Sequence, residues 1–437
     1  MEQQRVLVIG GGIAGITAAV DLGDAGHEVV MVERLPSVGG RMLQLSETFP
    51  TLDCAQCTLT PRTVETGQHR NIKLYTWSEV VGLAGEPGAY RATIRRKKSY
   101  VDWTKCTGCG ACQEKCPTKV PTNFFERGVG AKKAIYTLSP QAVPNKPIID
   151  EDNCRYLLHG KCGVCAKICP VGAIDYEQQE STVEEDVAAV VVATGFELYP
   201  MSAMAEYGYG TVPDVIDGFA MERLCSASGP TAGRVLRPSD GKVPEDIVFV
   251  QCVGSRDPEN HKPYCSRICC MYSAKHARLY KHKEHHGRAT LFYMDLRCTG
   301  KGYEEFLQQS TEEEGLVYVR GRVSRIFRDG DKVVVWGTDT LSGQSLEMRT
   351  DMVVLAMAAV PNPEQAELAR VLGIPLDENG FFREAHYKVG SVETGREGIV
   401  VAGTCQGPRD IADTVAHASA AASKVQVLLS RLRREAA

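Results

Sequence analysis

Cys106, Cys109, Cys112 and Cys116, closed by Pro117, follow the spacing C-x2-C-x2-C-x3-C-P. Cys154, Cys162, Cys165 and Cys169, closed by Pro170, repeat it with the first gap stretched by residues 155–161. Thiolates at this spacing wrap iron–sulfur cubanes, three from one run and the fourth from the other. The spacing therefore assigns Cys106, Cys109, Cys112 and Cys169 to one [4Fe–4S] cluster. Cys154, Cys162, Cys165 and Cys116 go to a second. Zinc and disulfides are the rival uses of clustered cysteines, and two proline-terminated runs in tandem speak against both. A third group, Cys252, Cys265, Cys269 and Cys270, is irregularly spaced. It reads as a third cubane, or else as buried thiols with a redox pair. Cys225, Cys298 and Cys405 stand alone and read as packing.

A second chemistry lies at the start of the chain. The apolar run Val6 to Ile9 reads as a buried strand, followed by Gly10, Gly12 and Gly15 in G-x-G-x-x-G spacing. Gly10 permits a tight turn, Gly12 admits a pyrophosphate, and Gly15 lets the next helix pack on the strand. Ile13 and Ala14 open that helix, whose N-terminus favours phosphate. A second strand, His27 to Val32, ends at Glu33, the position of an acid for ribose hydroxyls. Beyond it, Arg34, the glycine pair Gly39-Gly40 and Arg41 resemble the loop that lies along the cofactor in two-dinucleotide flavoproteins. The resemblance implies FAD rather than NAD. Ala193-Thr194-Gly195, after an apolar strand, resembles a turn of disulfide-reductase-like folds. Near the end, a strand and glycine prelude through Gly403 leads to Asp410, Ile411 and a small-residue helix. Its free N–H groups are expected at the flavin pyrimidine edge. Cys54 and Cys57 form a C-x-x-C with four readings: cluster ligands, a redox pair, flavin-proximal thiols or packed cysteines.

These residues need a scaffold. A chain of 437 residues exceeds one compact domain, and 43% hydrophobic content suffices for buried cores. A net charge of −4 argues against a nucleic-acid surface. No apolar run reaches the ~20 residues of a membrane span. Seventeen cysteines in a long α/β chain without a leader point to electron transfer or metal in a cytoplasmic protein, not to secreted disulfides. The expected fold is α/β: a two-dinucleotide-binding, thioredoxin-reductase-like flavoprotein fold with an inserted two-cluster ferredoxin domain. Residues 1–96 begin the FAD domain and 97–176 form the insert. Residues 177–244 continue the FAD domain, with an irregular connection over 200–242, and 351–437 complete it. Residues 245–350 form a second nucleotide-binding-like lobe. There Gly254 alone survives of a glycine fingerprint, so a nicotinamide grip is not expected. The basic run from Lys275 and His276 through Arg278 to Arg288 reads as a solvated helix face, with partner docking as the alternative.

Taken together, these segments resemble the A subunit of heterodisulfide reductase and its bacterial relatives. The resemblance rests on Gly10 to Gly15, on Leu52-Asp53-Cys54 through Pro61, and on the two ferredoxin runs. It rests further on Gln251 to Asp257, on Tyr264-Cys265-Ser266-Arg267-Ile268-Cys269-Cys270-Met271, and on Ala402 to Ile411. It implies FAD, several [4Fe–4S] clusters and electron transfer inside a soluble multi-subunit complex, with bifurcation at the flavin in some members. Implied partners are other subunits of a heterodisulfide-reductase-like or benzoyl-CoA-reductase-like complex, with ferredoxin, hydrogenase or dehydrogenase donors. The archaeal member carries a further ferredoxin domain after the flavin lobe, which this sequence does not show. Without an evident acid/base dyad, the substrate chemistry is expected on a partner. The alternative is a self-contained NAD(P)H oxidoreductase similar to the glutamate synthase small subunit.

Overall fold

The computed structural model describes residues 4–121 and 124–435. The strand Arg5–Ile9 lies between Glu28–Glu33 and Ala189–Val192, parallel to both. Ile72–Thr76 extends this sheet on one side. Ile399–Val401, Gly390–Thr394 and Glu384–His386 extend it on the other. Val6 and Val8 face one layer, packed with the helices Ile13–Asp24 and Ile411–Glu435. Leu7 and Ile9 face the other, packed with Tyr90, Ala92 and Ile94 of a three-stranded sheet. A central parallel strand is covered on both faces, which is why this run is apolar without alternation.

The cysteine-rich insert grows out of that three-stranded sheet. Ser181 pairs with Arg96, so the chain leaves and re-enters the sheet at neighbouring positions. Three short helices, Ala111–Lys115, Arg155–His159 and Val164–Ile168, surround a small core that includes Tyr100, Val101, Ile135 and Ile149. The insert is clamped to the rest of the molecule. Gln44 Nε2 donates to the carbonyls of Phe124 and Phe125, both at 2.9 Å. Arg223 pairs with Glu126 at 3.0 Å, and Arg127 with Asp217 at 2.6 Å.

The second lobe is another seven-stranded sheet. Val215–Asp217, Met352–Met357, Asp246–Val253, Arg288–Tyr293 and Val317–Asp329 run parallel in that order. Lys332–Asp339 and Gln344–Thr350 add an antiparallel edge. Two expectations change here. Met352–Met357, expected in the first lobe, pairs with Val215–Asp217 and Asp246–Val253 in the second. All six of its residues are buried, a pattern that identifies a central strand but not its sheet. The connection over 200–242 contains the strand Val215–Asp217 and the buried helix Gly218–Cys225. Three strand residues among glycine, proline and serine are too few to show a periodicity.

Candidate functional site

A cavity of about 530 Å³ opens where the first strand meets its glycine loop. Gly10, Gly12, Ile13 and Ala14 line it, with Glu33, Arg34, Gly40 and Arg41 beside them. Ala193, Thr194 and Gly195 form part of the wall, and so do Asp410 and Ile411. Gly15 and Gly403 stand behind the lining. A Cβ on Gly15 would lie 1.8 Å from the Gly10 carbonyl oxygen, so the helix approaches the strand only as glycine permits. The Gly403 N–H donates to His417 Nδ1 at 2.9 Å. A Cβ on Gly12 would meet no atom nearer than 3.9 Å, which leaves room against the backbone for a phosphate.

Glu33 also shapes the glycine loop. Its Oε2 accepts from the Gly11 N–H at 2.5 Å, and its Oε1 from the Leu35 N–H at 2.8 Å. Burial pushes its carboxyl up, against the pull of those two donors. Each carboxylate oxygen has a second lone pair, so the acid can shape the loop and still accept from a sugar hydroxyl. Asp410 Oδ1 accepts from the Asp413 N–H at 2.8 Å and caps the helix Ile411–Glu435. Tyr303 Oη donates to Asp410 Oδ2 at 2.8 Å. The Thr194 hydroxyl is buried without a partner among the described residues. Two helix starts, a placed acid and an orphaned hydroxyl in one wall fit a dinucleotide cofactor.

The opposite contribution comes from the second lobe and was not legible in the sequence. Glu222, Lys275 and His276 line the cavity and are buried. Lys275 Nζ donates to the Glu222 carboxylate and to the Glu47 carbonyl, the latter at 2.7 Å. His276 Nε2 lies 2.7 Å from Glu222 Oε1, and the Ser46 N–H donates to Oε2 at 2.9 Å. Burial pushes the Glu222 carboxyl up, but Lys275 and His276 outweigh it and hold it well below the usual range. Burial lowers the His276 imidazole despite Glu222, and its Nδ1 has no partner among the described residues. The expected solvated face is therefore corrected: Lys275, His276 and Arg278 are buried, and exposure begins near His282. A signal existed. Ala274, Ala277, Leu279 and Tyr280 interleave the basic residues, leaving the helix no wholly polar face.

The insert reaches the same cavity. Phe124 is part of its lining, and the Arg41 guanidinium lies 4.9 Å from the Phe124 ring centroid and 5.2 Å from that of Phe219. Arg41 also pairs with Glu197.

Within the insert, Cys106, Cys109, Cys112 and Cys169 line one small cavity, next to Pro170. Cys116, Cys154, Cys162 and Cys165 line another, next to Pro117. The Gly108 N–H donates to Cys106 Sγ at 3.4 Å, and the Ala173 N–H to Cys169 Sγ at 3.3 Å. Tyr176 Oη lies 3.0 Å from Cys165 Sγ, with its ring stacked on Tyr156 at 3.8 Å. Among the described residues, no three His, Cys, Asp or Glu side chains close on one point as a single-ion site requires. A cubane instead binds each thiolate at a separate iron corner, so ligands stand apart around a cavity. Both quartets fit that demand.

In the second lobe, Cys252, Cys269 and Cys270 are buried where the strand Asp246–Val253 ends and the helix Cys269–Lys283 begins. The Cys269 thiol and the Arg256 guanidinium hold Cys252 down to about 7 against its burial. The Arg297 N–H donates to Cys270 Sγ at 3.4 Å. Cys265 is half-buried on the neighbouring loop, where its sulfur accepts from the Arg267 N–H at 3.3 Å. That loop is pinned to the Cys252 turn by Ser255 and Ser266, whose hydroxyls are 2.8 Å apart. Cys252, Gly254 and Arg256 have φ of +59°, +72° and +59°. Alternation of this kind turns successive N–H groups toward one concave side, a setting that suits anionic clusters. The helix Cys269–Lys283 begins at these thiols, and Tyr272, Lys275 and His276 farther along it line the large cavity.

The family model of FAD dependent oxidoreductases matches residues 5–70, and that of the 4Fe-4S binding domain matches residues 99–122. The A subunit of the H(2):CoB-CoM heterodisulfide,ferredoxin reductase of Methanothermobacter marburgensis is 46% identical over 425 residues, covering 97% of this chain and 63% of that protein. An iron-sulfur A subunit of the CoB–CoM heterodisulfide reductase of Methanopyrus kandleri is 47% identical over 428 residues, with 98% and 64% covered. A protein of Archaeoglobus profundus, named for its likeness to the heterodisulfide reductase A subunit, is 42% identical, with 98% and 66% covered. The chain thus spans somewhat under two thirds of these relatives' length. In fold it is similar to thioredoxin reductase of Lactococcus lactis, with a TM-score of 0.55, 14% identity, and 98% and 100% of the two chains covered. Thioredoxin reductase of T. acidophilum gives 0.53 and 14%, covering 97% and 98%. Among the described residues, no helix is long and apolar enough to cross a membrane.

Proposed function

We propose that the chain is a member of the heterodisulfide reductase A subunit family and serves as the FAD and iron–sulfur electron-transfer subunit of a multi-subunit oxidoreductase. One observation carries this reading. A single cavity is lined by the glycine loop, by Phe124 of the cysteine-rich insert, and by the helix that starts at Cys269 and Cys270. When bound, FAD and the cubanes supply two-electron and one-electron redox chemistry respectively.

The residues of the chain do the rest. Gly12 and the N–H groups at Ile13 and Ala14 bind pyrophosphate, Glu33 accepts from the ribose, and Thr194 contributes its free hydroxyl. Cys106, Cys109, Cys112 and Cys169 hold one cluster, and Cys116, Cys154, Cys162 and Cys165 the second. Cys252, Cys265, Cys269 and Cys270 hold the third. Lys275 presents Nζ at the cavity wall, placed by Glu222, where its charge favours negative charge on a bound ligand. The same arrangement extends the proposal to bifurcation. An electron pair divides only where two one-electron routes leave one site, and the insert and the second-lobe helix supply two. Its partners are further subunits of a heterodisulfide-reductase-like or benzoyl-CoA-reductase-like complex.

Anaerobic purification followed by flavin and iron analysis tests this. One FAD is expected with about twelve irons for three cubanes, and a value near eight would remove the third cluster. Reductive titration should take up more electrons than a flavin alone stores. Rapid flavin reduction by NADH or NADPH without partners would favour the self-contained oxidoreductase instead.

A further inference from the structure

The Cys54–Cys57 motif is absorbed by none of the groups above. Neither cysteine lines the large cavity or either cysteine-walled cavity of the insert. Cys54 ends the short strand Asp53–Cys54 and caps the helix Ala55–Gln68. Its sulfur accepts from the Cys57 N–H at 3.4 Å. Both thiols are exposed, which removes the reading of packed cysteines. Ala55, Leu59, Thr63 and Thr66 are buried beneath them and fix the helix that presents them.

The geometry points to a redox-active surface dithiol at Cys54 and Cys57 that exchanges an electron pair with an external disulfide. The Cys57 N–H already donates to the Cys54 sulfur across one helical turn. This sets both thiols on the same exposed end of the helix, so closing a disulfide needs little movement. The pair is chemically unequal. The contact with Cys57 holds the Cys54 thiol below its usual range, and the same contact pushes Cys57 up. Cys54 is therefore the attacking sulfur and Cys57 the resolving one.

The chemistry balances without further reagents. The Cys54 thiolate attacks one sulfur of RSSR′, the Cys54–SR bond forms, and R′S⁻ leaves and takes a proton. Cys57 then loses its proton to solvent and attacks Cys54 Sγ. The Cys54–Cys57 bond forms, and RS⁻ leaves and is protonated. Two protein thiols are oxidised and one disulfide is reduced to two thiols. The position adds a role. Glu47 pairs with Cys54 across the hairpin, and Glu47 and Thr58 line the large cavity. Electron pairs thus meet the protein one strand away from that cavity, apart from the cysteines assigned to single-electron carriers.

The test uses the holoprotein in glutathione buffers of graded redox ratio, followed by alkylation and mass analysis. Trypsin releases residues 42–62, a peptide whose only cysteines are Cys54 and Cys57. Both alkylation sites should disappear together in one two-electron transition, with iron and flavin contents unchanged. C57S should trap a glutathione adduct on Cys54, and C54S should form one on Cys57 at least tenfold more slowly. Glutathione disulfide and a disulfide-bonded protein, insulin, are compared as oxidants. The faster of the two identifies the source of the disulfide, and reaction with neither overturns the proposal. Alkylation that ignores the buffer, equal adduct rates in C54S and C57S, or iron loss from the double variant would also overturn it.

Discussion

The two lobes share a plan and differ at one turn. Each has a seven-stranded sheet whose buried parallel strand runs into a loop and then a helix. In the first, the strand Arg5–Ile9 meets glycines that bring a helix start to the cavity. In the second, the strand Asp246–Val253 ends at Cys252 with φ of +59°, and thiols and an Arg256–Asp295 pair occupy the turn. The sheet fixes where a site forms, and the residues after the strand fix what it holds. The second lobe has also turned its helix to a new use, offering Lys275 and His276 to the first lobe's cavity.

Gly15→Val should break the comparison most severely. Its Cβ has no space against Gly10, so the variant should purify without flavin, more than tenfold below the parent by absorbance. Flavin retained at parental occupancy would mean the cofactor is not held by this turn.

Glu222→Gln tests the second lobe's contribution. It leaves the buried Lys275 without its counter-charge, at a cost of about 3–5 kcal/mol in denaturant unfolding. A loss below about 1 kcal/mol would show that Lys275 is solvated in solution.

His417 tests the first lobe by pH. Its Nδ1 accepts from Gly403 and its Nε2 faces the Ser391 carbonyl at 3.1 Å, an arrangement that needs the neutral ring. Burial and Arg409 lower it to about 4. The unfolded chain, near 6.5, binds the proton first. Stability therefore falls as pH drops from about 6.5 to about 4, by about 3 kcal/mol at most, and levels off below. His417→Gln should flatten that part of the melting-temperature profile.

Gly254→Ala is the mildest probe. Gly254 has φ of +72°, so an alanine there costs about 1–2 kcal/mol in strain, plus its contact with the Tyr199 ring. Flavin content should hold. Loss of flavin would show that the second turn still grips the dinucleotide.

The sequence by itself determined the local chemistry. Gly10 to Gly15, Glu33 and the two proline-terminated cysteine runs were legible because each is a short constellation whose spacing is set by one turn or one loop. The two cysteine quartets that the spacing proposes each line a cavity of their own. Which sheet holds Met352–Met357 was not legible, because a strand buried on both faces carries no mark of its neighbours. Nor was the placement of Glu222, Lys275 and His276. Glu222 lies 53 residues before Lys275, and a basic helix reads as solvated until tertiary packing closes a lobe over it. Phe124 is the same case: an aromatic residue in a ferredoxin insert becomes a cavity wall only through the contacts of Gln44, Arg223 and Asp217 with the segment around it. Burial and charge pairing across the chain depend on three-dimensional proximity, which no local spacing encodes.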